Sequence, residues 1–432
     1  MRRKEALRRS AIGIPKQKGG EKKKKMKTKT AILVGIAICT ILLTSPALAS
    51  AGYSKIYGNA NEDDVLDMRD VTYIKLVIFG KKPATTLADA NYDGKISMLD
   101  VGQTKLIILG KEKKLTLVDQ SDRTVTVPRP IERVVTLFPS ITRVILALDG
   151  CDRLVGVSST TTSGKYANRM IMLQAYPELL ELPNTGSHRD PNAEQILSLK
   201  PDVIFGYSRR LEWCDPIQEK TGIPVVGIYL NPNLASGCFE SYRLAGKVLG
   251  KEERAEELIE FNEEKFAELR EVTSQIPDSE KPRVHLAFWG SITKSPGSYY
   301  PVELAGGINV ISSESSVTVS KEQVIAWNPD FILIHGPSAP HRLSIEDVLS
   351  DPDLQTINAV KSKKVYYTKG HFIGWDPATG LTEAFYMAKL FHPDAFKDSD
   401  VEEKGNRILK KFYRADSLYT WLLENSDLYR WE

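Results

Sequence analysis

Apolar residues recur along this chain with two different periods, and the points where one period gives way to the other mark its elements. From Leu115 onward, short β-branched runs alternate with stretches whose apolar positions fall three and four apart. Arg133–Phe138 predicts a strand, Ser140–Leu148 a helix closed by Gly150, and Leu154–Val157 the next strand. Further αβ units are expected over 192–207 and 216–230, followed by strands at Val284–Trp289, Phe331–His335 and Val365–Thr368. This rhythm predicts an α/β fold of parallel sheets covered by helices.

One unit occurs twice, 128 residues apart: EQILSLKPDVIF from Glu194 to Phe205 and EQVIAWNPDFIL from Glu322 to Leu333. In each copy a helix starts at an acid, stops at Pro-Asp and runs directly into a strand. The echo implies two related lobes, with a ligand cleft where the carboxyl ends of their strands face each other. Between the copies, residues 251–276 contain neither Gly nor Pro and place Ala255, Leu258, Ile259, Asn262, Phe266 and Leu269 on one helical face. A helix of that length would connect the lobes stiffly, and a single crossing predicts limited closure.

A second repeat precedes the lobes. Residues 59–70 and 89–100 align at an offset of thirty and place oxygen-bearing side chains at loop positions 1, 3, 5, 9 and 12: Asn59, Asn61, Asp63, Asp67 and Asp70, then Asp89, Asn91, Asp93, Ser97 and Asp100. A twelve-residue loop wraps a hard cation such as Ca2+ with this spacing. Each loop opens an apolar helical run, Val71–Phe79 and Val101–Leu109, stopped by Gly80 and Gly110. The loops end on Asp rather than Glu, and no clear helix precedes either one. The tandem pattern resembles a type I dockerin, which implies a cohesin domain on a partner protein. The first loop has Asp64 where the turn favours Gly, so its site is expected to be the weaker. The plain alternative is that Ca2+ only folds a spacer too small for its own core.

Charge divides the chain in the same place. The first thirty residues hold thirteen Lys and Arg against two Glu, and from residue 50 onward the count is 45 basic to 53 acidic. That acidic remainder excludes a nucleic-acid partner. The basic run, the apolar Ala31–Leu43 and the small Ala47–Ala49 form an export signal with cleavage expected near Ala49, and Met26 is an alternative start. A secreted or cell-surface protein follows. The three later cysteines, Cys151, Cys214 and Cys238, are too few and odd in number for a disulfide framework. The expected domains are 1–49 (signal), 50–114 (calcium repeat), 115–250 (first lobe), 251–280 (connecting helix) and 281–432 (second lobe and helical tail).

Five segments together carry a family resemblance: VTVP at Val125 with IERVVTL at Ile131, LVGV at Leu154, NAEQILSLKPDVI at Asn192, ELAGGINV at Glu303 and VSKEQV at Val319. Over about residues 115–395 the chain is similar to the substrate-binding components of ferric-siderophore, haem and cobalamin ABC importers. The resemblance implies two Rossmann-like lobes joined by one long helix, the class III binding-protein arrangement, here preceded by a small all-α calcium-loop domain. It implies no enzymatic activity. It also implies a permease and its ATPase as partners, reached through one acid per lobe, Glu194 and Glu322 by motif match. Each acid also sits in a first helical turn capped by Asn192 or Ser320, where the helix dipole alone would favour it. The ligand would be an iron chelate or corrinoid. Loops after the strands offer Tyr207, Arg209, Arg210, Trp213, Trp289, His371 and Trp375, rings and cations suited to a large anionic chelate. The six His show no short ligand spacing, which argues against capture of a bare metal ion, although His371 or His335 could ligate a chelated one. Two other readings stay open, a dockerin-bearing secreted enzyme and a structural cell-surface protein.

Overall fold

The structure, a computed structural model, describes residues 54–162, 170–209, 211–230, 238–313, 315–335, 343–369 and 376–425, with the backbone alone at 211–214. The expected export signal lies outside the described residues.

Two short helices, α1 (Met68–Ile78) and α2 (Met98–Ile108), follow the loops of the calcium-type repeat. Each begins three residues before the expected apolar run, because a capping box recruits the end of the loop. The Asp67 amide donates to Asp70 Oδ2 at 2.8 Å and the Ser97 amide to Asp100 Oδ2 at 2.7 Å. Gly80 and Gly110 adopt φ of +68° and +62° just past the helix ends, where a side chain would be strained.

The repeat is built into the body. Strands β1 (Lys114–Val118) and β2 (Thr124–Pro128) form an antiparallel hairpin, and Ile56 makes an isolated antiparallel bridge to Leu117. The Tyr57 amide donates to Thr116 O at 3.0 Å and the Val118 amide to Lys55 O at 2.8 Å. Ile56 and Ile107 are buried in the same apolar cluster as Leu115 and Leu117.

The first lobe contains β3 (Val134–Thr136), α3 (Pro139–Ala147), β4 (Leu154–Val157), α4 (Ser159–Thr162), α5 (Ala193–Leu199), β5 (Val203–Tyr207), α6 (Leu211–Thr221), β6 (Val225–Ile228) and α7 (Phe239–Leu249). Its sheet is parallel, in the order β4-β3-β5-β6. The hairpin turn blocks the exposed edge of β6. Buried Asp119 accepts from the Gly227 amide at 2.8 Å, and Gln120 Oε1 accepts from the Tyr229 amide at 2.7 Å.

Helix α8 (Glu252–Thr273), about 33 Å long, buries all six residues of its expected apolar face. The second lobe follows with β7 (Arg283–Ala287), β8 (Ile308–Asn309), α9 (Lys321–Trp327), β9 (Phe331–His335) and β10 (Val365–Thr368), then α10 (Pro377–Phe391), α11 (Val401–Tyr413) and α12 (Leu418–Asn425). Its sheet order, β8-β7-β9-β10, is also parallel and repeats that of the first lobe.

The sequence echo has a structural counterpart at each step. Helices α5 and α9 both end in the left-handed region, at Lys200 (φ +47°) and Asn328 (φ +44°). Asp202 Oδ2 then accepts from the Arg133 amide at 2.8 Å, and Asp330 Oδ2 from the Arg283 amide at 2.9 Å. The same two arginines return a bond to the helix ends, Arg133 Nε to Leu199 O at 3.0 Å and Arg283 Nε to Trp327 O at 3.2 Å. Pro-Asp therefore locks the echoed strand to the first strand of its lobe.

The expectation of a single crossing is corrected. The tail helices return to the first lobe, with α11 against α3 and α12 against residues 171–175. Phe412 packs 6.3 Å from the Tyr242 ring of α7 and 6.3 Å from Phe261 of α8. Arg414 binds Asp149 with two parallel bonds of 3.0 Å, and Arg254 Nε reaches Ala147 O at 3.0 Å. The lobes are thus joined by α8 and clamped by the tail, because the apolar stripe of α11 buries Ile408, Leu409 and Phe412 across the junction.

Candidate functional site in the interlobe cleft

Strands of a parallel sheet end at one edge, so the residues at the carboxyl ends of β3, β5 and β6 share a surface. Phe138, Tyr207 and Tyr229 form it. The Phe138 and Tyr207 rings lie 5.2 Å apart, Tyr207 and Tyr229 5.5 Å, and the Arg209 guanidinium covers the Tyr229 ring at 4.3 Å. His188 packs 5.2 Å from Phe138, and its Nδ1 is 2.8 Å from Thr160 Oγ1. Burial, aided by the charge of Arg189, lowers the pKa of His188, so the Arg209 guanidinium stands on an otherwise aromatic edge.

The matching edge of the second lobe is built from Phe288, Trp289 and His335. Trp289 adopts φ +53°, a strained value for a bulky residue, and Gly290 follows at +74°. This turn leaves the indole 46% exposed at the end of β7. His335, at the end of β9, stacks on Phe288 with centroids 4.5 Å apart. Burial pulls its pKa down to about 4, against a hydrogen bond to the Lys369 backbone, so the ring is neutral, and its Nε2 has no partner.

A buried ion pair joins the two lobes. Arg143 of α3 lies 4.0 Å from Asp376, the N-cap of α10. Lys369, the residue after β10, donates to Asp376 Oδ2 at 3.2 Å and to Thr379 Oγ1 at 2.6 Å. Glu383 accepts from Tyr299, Thr368 and the Lys369 amide. Burial alone would raise the Asp376 carboxyl, and the charges of Lys369 and Arg143 more than offset it, holding it below the usual carboxylate range. Arg143, Lys369 and Glu383 carried no motif. Asp376 had one usable signal, an Asp-Pro start to a long apolar helix.

Of the ligand residues expected from sequence, Tyr207, Arg209 and Trp289 stand at these edges. Arg210, His371, Trp375 and the Trp213 side chain lie outside the described residues. Glu194 and Glu322 occupy the first turns of α5 and α9 and are exposed. Asn192 Oδ1 caps α5 by accepting from the Gln195 amide at 3.0 Å, and Ser320 Oγ caps α9 from the Gln323 amide at 3.2 Å. Each helix runs back against the strand it precedes, which puts both first turns on the carboxyl-end side of their sheets, one per lobe.

The two calcium-type loops share one hydrogen-bond pattern. The Asn61 and Asn91 amides each donate to the position-12 Asp at 3.1 Å, and the Asp63 and Asp93 amides to the Asn at position 3, at 3.0 and 3.1 Å. Asp64 is not left-handed, whereas Gly94 has φ +86°, so the loops turn differently. In the first loop Arg69 bridges Asp63 at 3.1 Å and Asp67 at 2.9 Å, and Leu99 stands at the same place in the second. Among the described residues, Asp, Glu, His and Cys alone form no three-membered ligand set. A cation here would draw also on Asn, Ser and carbonyl oxygens. Asn59 Oδ1, at position 1, fits that need because it is buried without a partner.

The family model for periplasmic binding proteins matches residues 134–371, more than half of the chain. The chain belongs to the periplasmic binding protein family. This periplasmic binding protein is 29% identical over 330 residues to the molybdate-binding protein MolA of Haemophilus influenzae, covering 69% of this chain and 90% of that one. It is 23% identical over 287 residues to a cobalamin-binding protein of Halobacterium salinarum, covering 63% and 73%. The solved structure of MolA bound to molybdate superposes with a TM-score of 0.60 at 26% identity, covering 70% of this chain and 98% of that one. The TroA-like periplasmic binding protein FepB of Veillonella parvula superposes at 0.54 and 26% identity, covering 69% and 95%. These matched proteins are solute-binding proteins, and no helix among the described residues is long and apolar enough to cross a membrane.

Proposed function

We propose that this periplasmic binding protein captures an anionic metal chelate or corrinoid between its lobes and delivers it to an ABC permease. The observation that supports this reading is the pair of sheets of like strand order, each carrying rings at its strand ends and each differently equipped, with the Arg143–Asp376 contact joining the lobes. A flat chelate stacks between Tyr207, Tyr229 and Trp289, while Arg209 meets its carboxylate or phosphate groups. His335 presents a neutral lone pair beside Phe288. The double connection through α8 and the tail restricts closure to a small movement, so affinity rests on a preformed surface. Glu194 and Glu322, displayed alike in first helical turns, give the permease a two-point electrostatic register. MolA and the halobacterial relative carry molybdate and cobalamin in their names, so the ligand panel must span oxyanions as well as chelates.

The N-terminal repeat is proposed to hold two Ca2+ ions, through Asn59, Asn61, Asp63, Asp67 and Asp70 and through Asp89, Asn91, Asp93, Ser97 and Asp100. Bound Ca2+ supplies charge neutralisation that fixes the loops and hence α1 and α2. Exposed apolar residues recur at the thirty-residue offset, Met68 with Met98 and Phe79 with Leu109, which supports a protein partner of the cohesin type on this face. Because Ile56 is bridged to the body's hairpin, such docking would hold the binder itself near its permease.

Tryptophan fluorescence titration with ferric siderophores, haem, corrinoids and molybdate tests the reading. Saturable binding of at least one is expected, and binding of none would end it.

A further inference from the structure

Helix α3 begins directly beneath the aromatic edge of the first lobe, since its N-cap is Phe138, and it begins without a side-chain cap. Pro139 has no amide hydrogen, and the amides of Ile141 and Thr142 both donate to Phe138 O, at 3.0 and 3.1 Å. The positive end of this nine-residue helix therefore points toward the cleft edge with no acid in its own first turn.

The hydroxyls around it supply an independent observation. Thr136, Ser140, Thr142, Ser158 and Thr161, from β3, α3, α4 and the residue between β4 and α4, are all fully or almost fully buried. Four of them are paired, Thr136 with Thr142 at 2.7 Å and Ser158 with Thr161 at 3.2 Å. Ser140 Oγ, in the first turn of α3, has no partner. A buried hydroxyl left alone costs free energy, so its retention at a helix N-terminus calls for a ligand that completes it.

We infer that the N-terminus of α3 and Ser140 Oγ form a subsite for a tetrahedral oxyanion, either free or as a phosphate group of a larger ligand. The inference rests on the capture reading above and names the part of the ligand that this lobe holds. The nearby buried charges balance, Arg143 and Lys369 against Asp376 and Glu383, so the subsite offers neutral donors and a helix dipole rather than a counter-ion. That arrangement suits an anion that must later leave. Among the described residues the second lobe shows no equivalent: β7 is followed by the left-handed Trp289–Gly290 turn instead of a helix start.

Isothermal titration calorimetry of the full chain and its Ser140→Ala variant with sodium molybdate, sodium phosphate, cobalamin and the phosphate-free cobinamide tests the inference. A free-oxyanion site predicts that the variant loses about tenfold or more in affinity for molybdate or phosphate. A site for a phosphate group predicts the same loss for cobalamin and none for cobinamide. In either case the ligand-free variant should melt at the wild-type temperature or above it, because an unpaired hydroxyl has been removed. Equal affinity of variant and wild type for every ligand would overturn the inference, as would a lower ligand-free melting temperature with affinities intact. Wild type that binds cobinamide but gains nothing from a phosphate would sink the subsite alone. Wild type that binds no ligand on this panel or in the fluorescence titration would sink the capture reading with it.

Discussion

Apart from the Arg209 guanidinium over Tyr229, the first lobe meets the cleft with neutral groups, Tyr207, Tyr229, the Thr160–His188 pair and a set of buried hydroxyls, while the second meets it with Trp289, His335 and a buried cluster of Lys369, Asp376 and Glu383. Their sheets nevertheless share strand order, left-handed helix end and Asp anchor. What duplicates is the scaffold behind the strands; what differs is the chemistry past their ends. The ligand is accordingly expected to be two-sided, touching dissimilar surfaces.

The largest expected effect falls on the charged edge. Asp376→Ala leaves Arg143 and Lys369 buried without their carboxylate and should cost about 3–5 kcal/mol in urea unfolding. Thr160→Val, on the neutral edge, should cost about 1 kcal/mol. Comparable losses would mean that the two edges do not differ as described. The pH dependence has the matching sign. The Asp376 carboxyl is held low in the folded protein, so its stabilisation is present above the ordinary carboxylate value of about 4 and is lost as pH falls through the lower folded value. Asp376→Ala should remove that part of the acid slope.

The calcium loops give a comparison within the repeat. Saturating Ca2+ at about a hundred times its dissociation constant should stabilise the protein by about 2.7 kcal/mol per site. Asp93→Ala, in the second loop, should lower this gain more than Asp63→Ala, because Arg69 already occupies the first loop's acids. Thermal melts with and without EGTA measure both. The Asp anchors should behave as equals: Asp202→Ala and Asp330→Ala are each expected to cost about 1–3 kcal/mol. A large effect at one and none at the other would make the echo a likeness of sequence only. Reversing Glu194 or Glu322 to Lys should reduce uptake by similar factors and leave both ligand affinity and stability within about 0.5 kcal/mol. A loss of affinity would place the acids in the cleft.

Much of the scaffold was legible because its determinants are local. The Pro-Asp echo, the α8 face and the glycines after α1 and α2 are each readable within a dozen residues or so, and each appears in the fold. The Arg143–Asp376 contact joins elements more than two hundred residues apart, and neither residue's surroundings show that it will be buried. The tail clamp was missed for the same reason. The stripe of α11 announces an amphipathic helix without saying which lobe it covers. Ile56 is a single bridging residue, too short for any periodicity to report. At the site, Tyr207, Arg209 and Trp289 were legible from their places at strand ends, whereas Phe138 and Tyr229 read as ordinary strand core.

The most direct test of a cleft shared by both lobes is calorimetric titration of Tyr207→Ala and Trp289→Ala with whichever ligand saturates the wild-type chain. Both variants should bind at least tenfold more weakly with one ligand per chain, since each removes a ring from one wall. Wild-type affinity in either variant would place the ligand on one lobe alone and contradict the account.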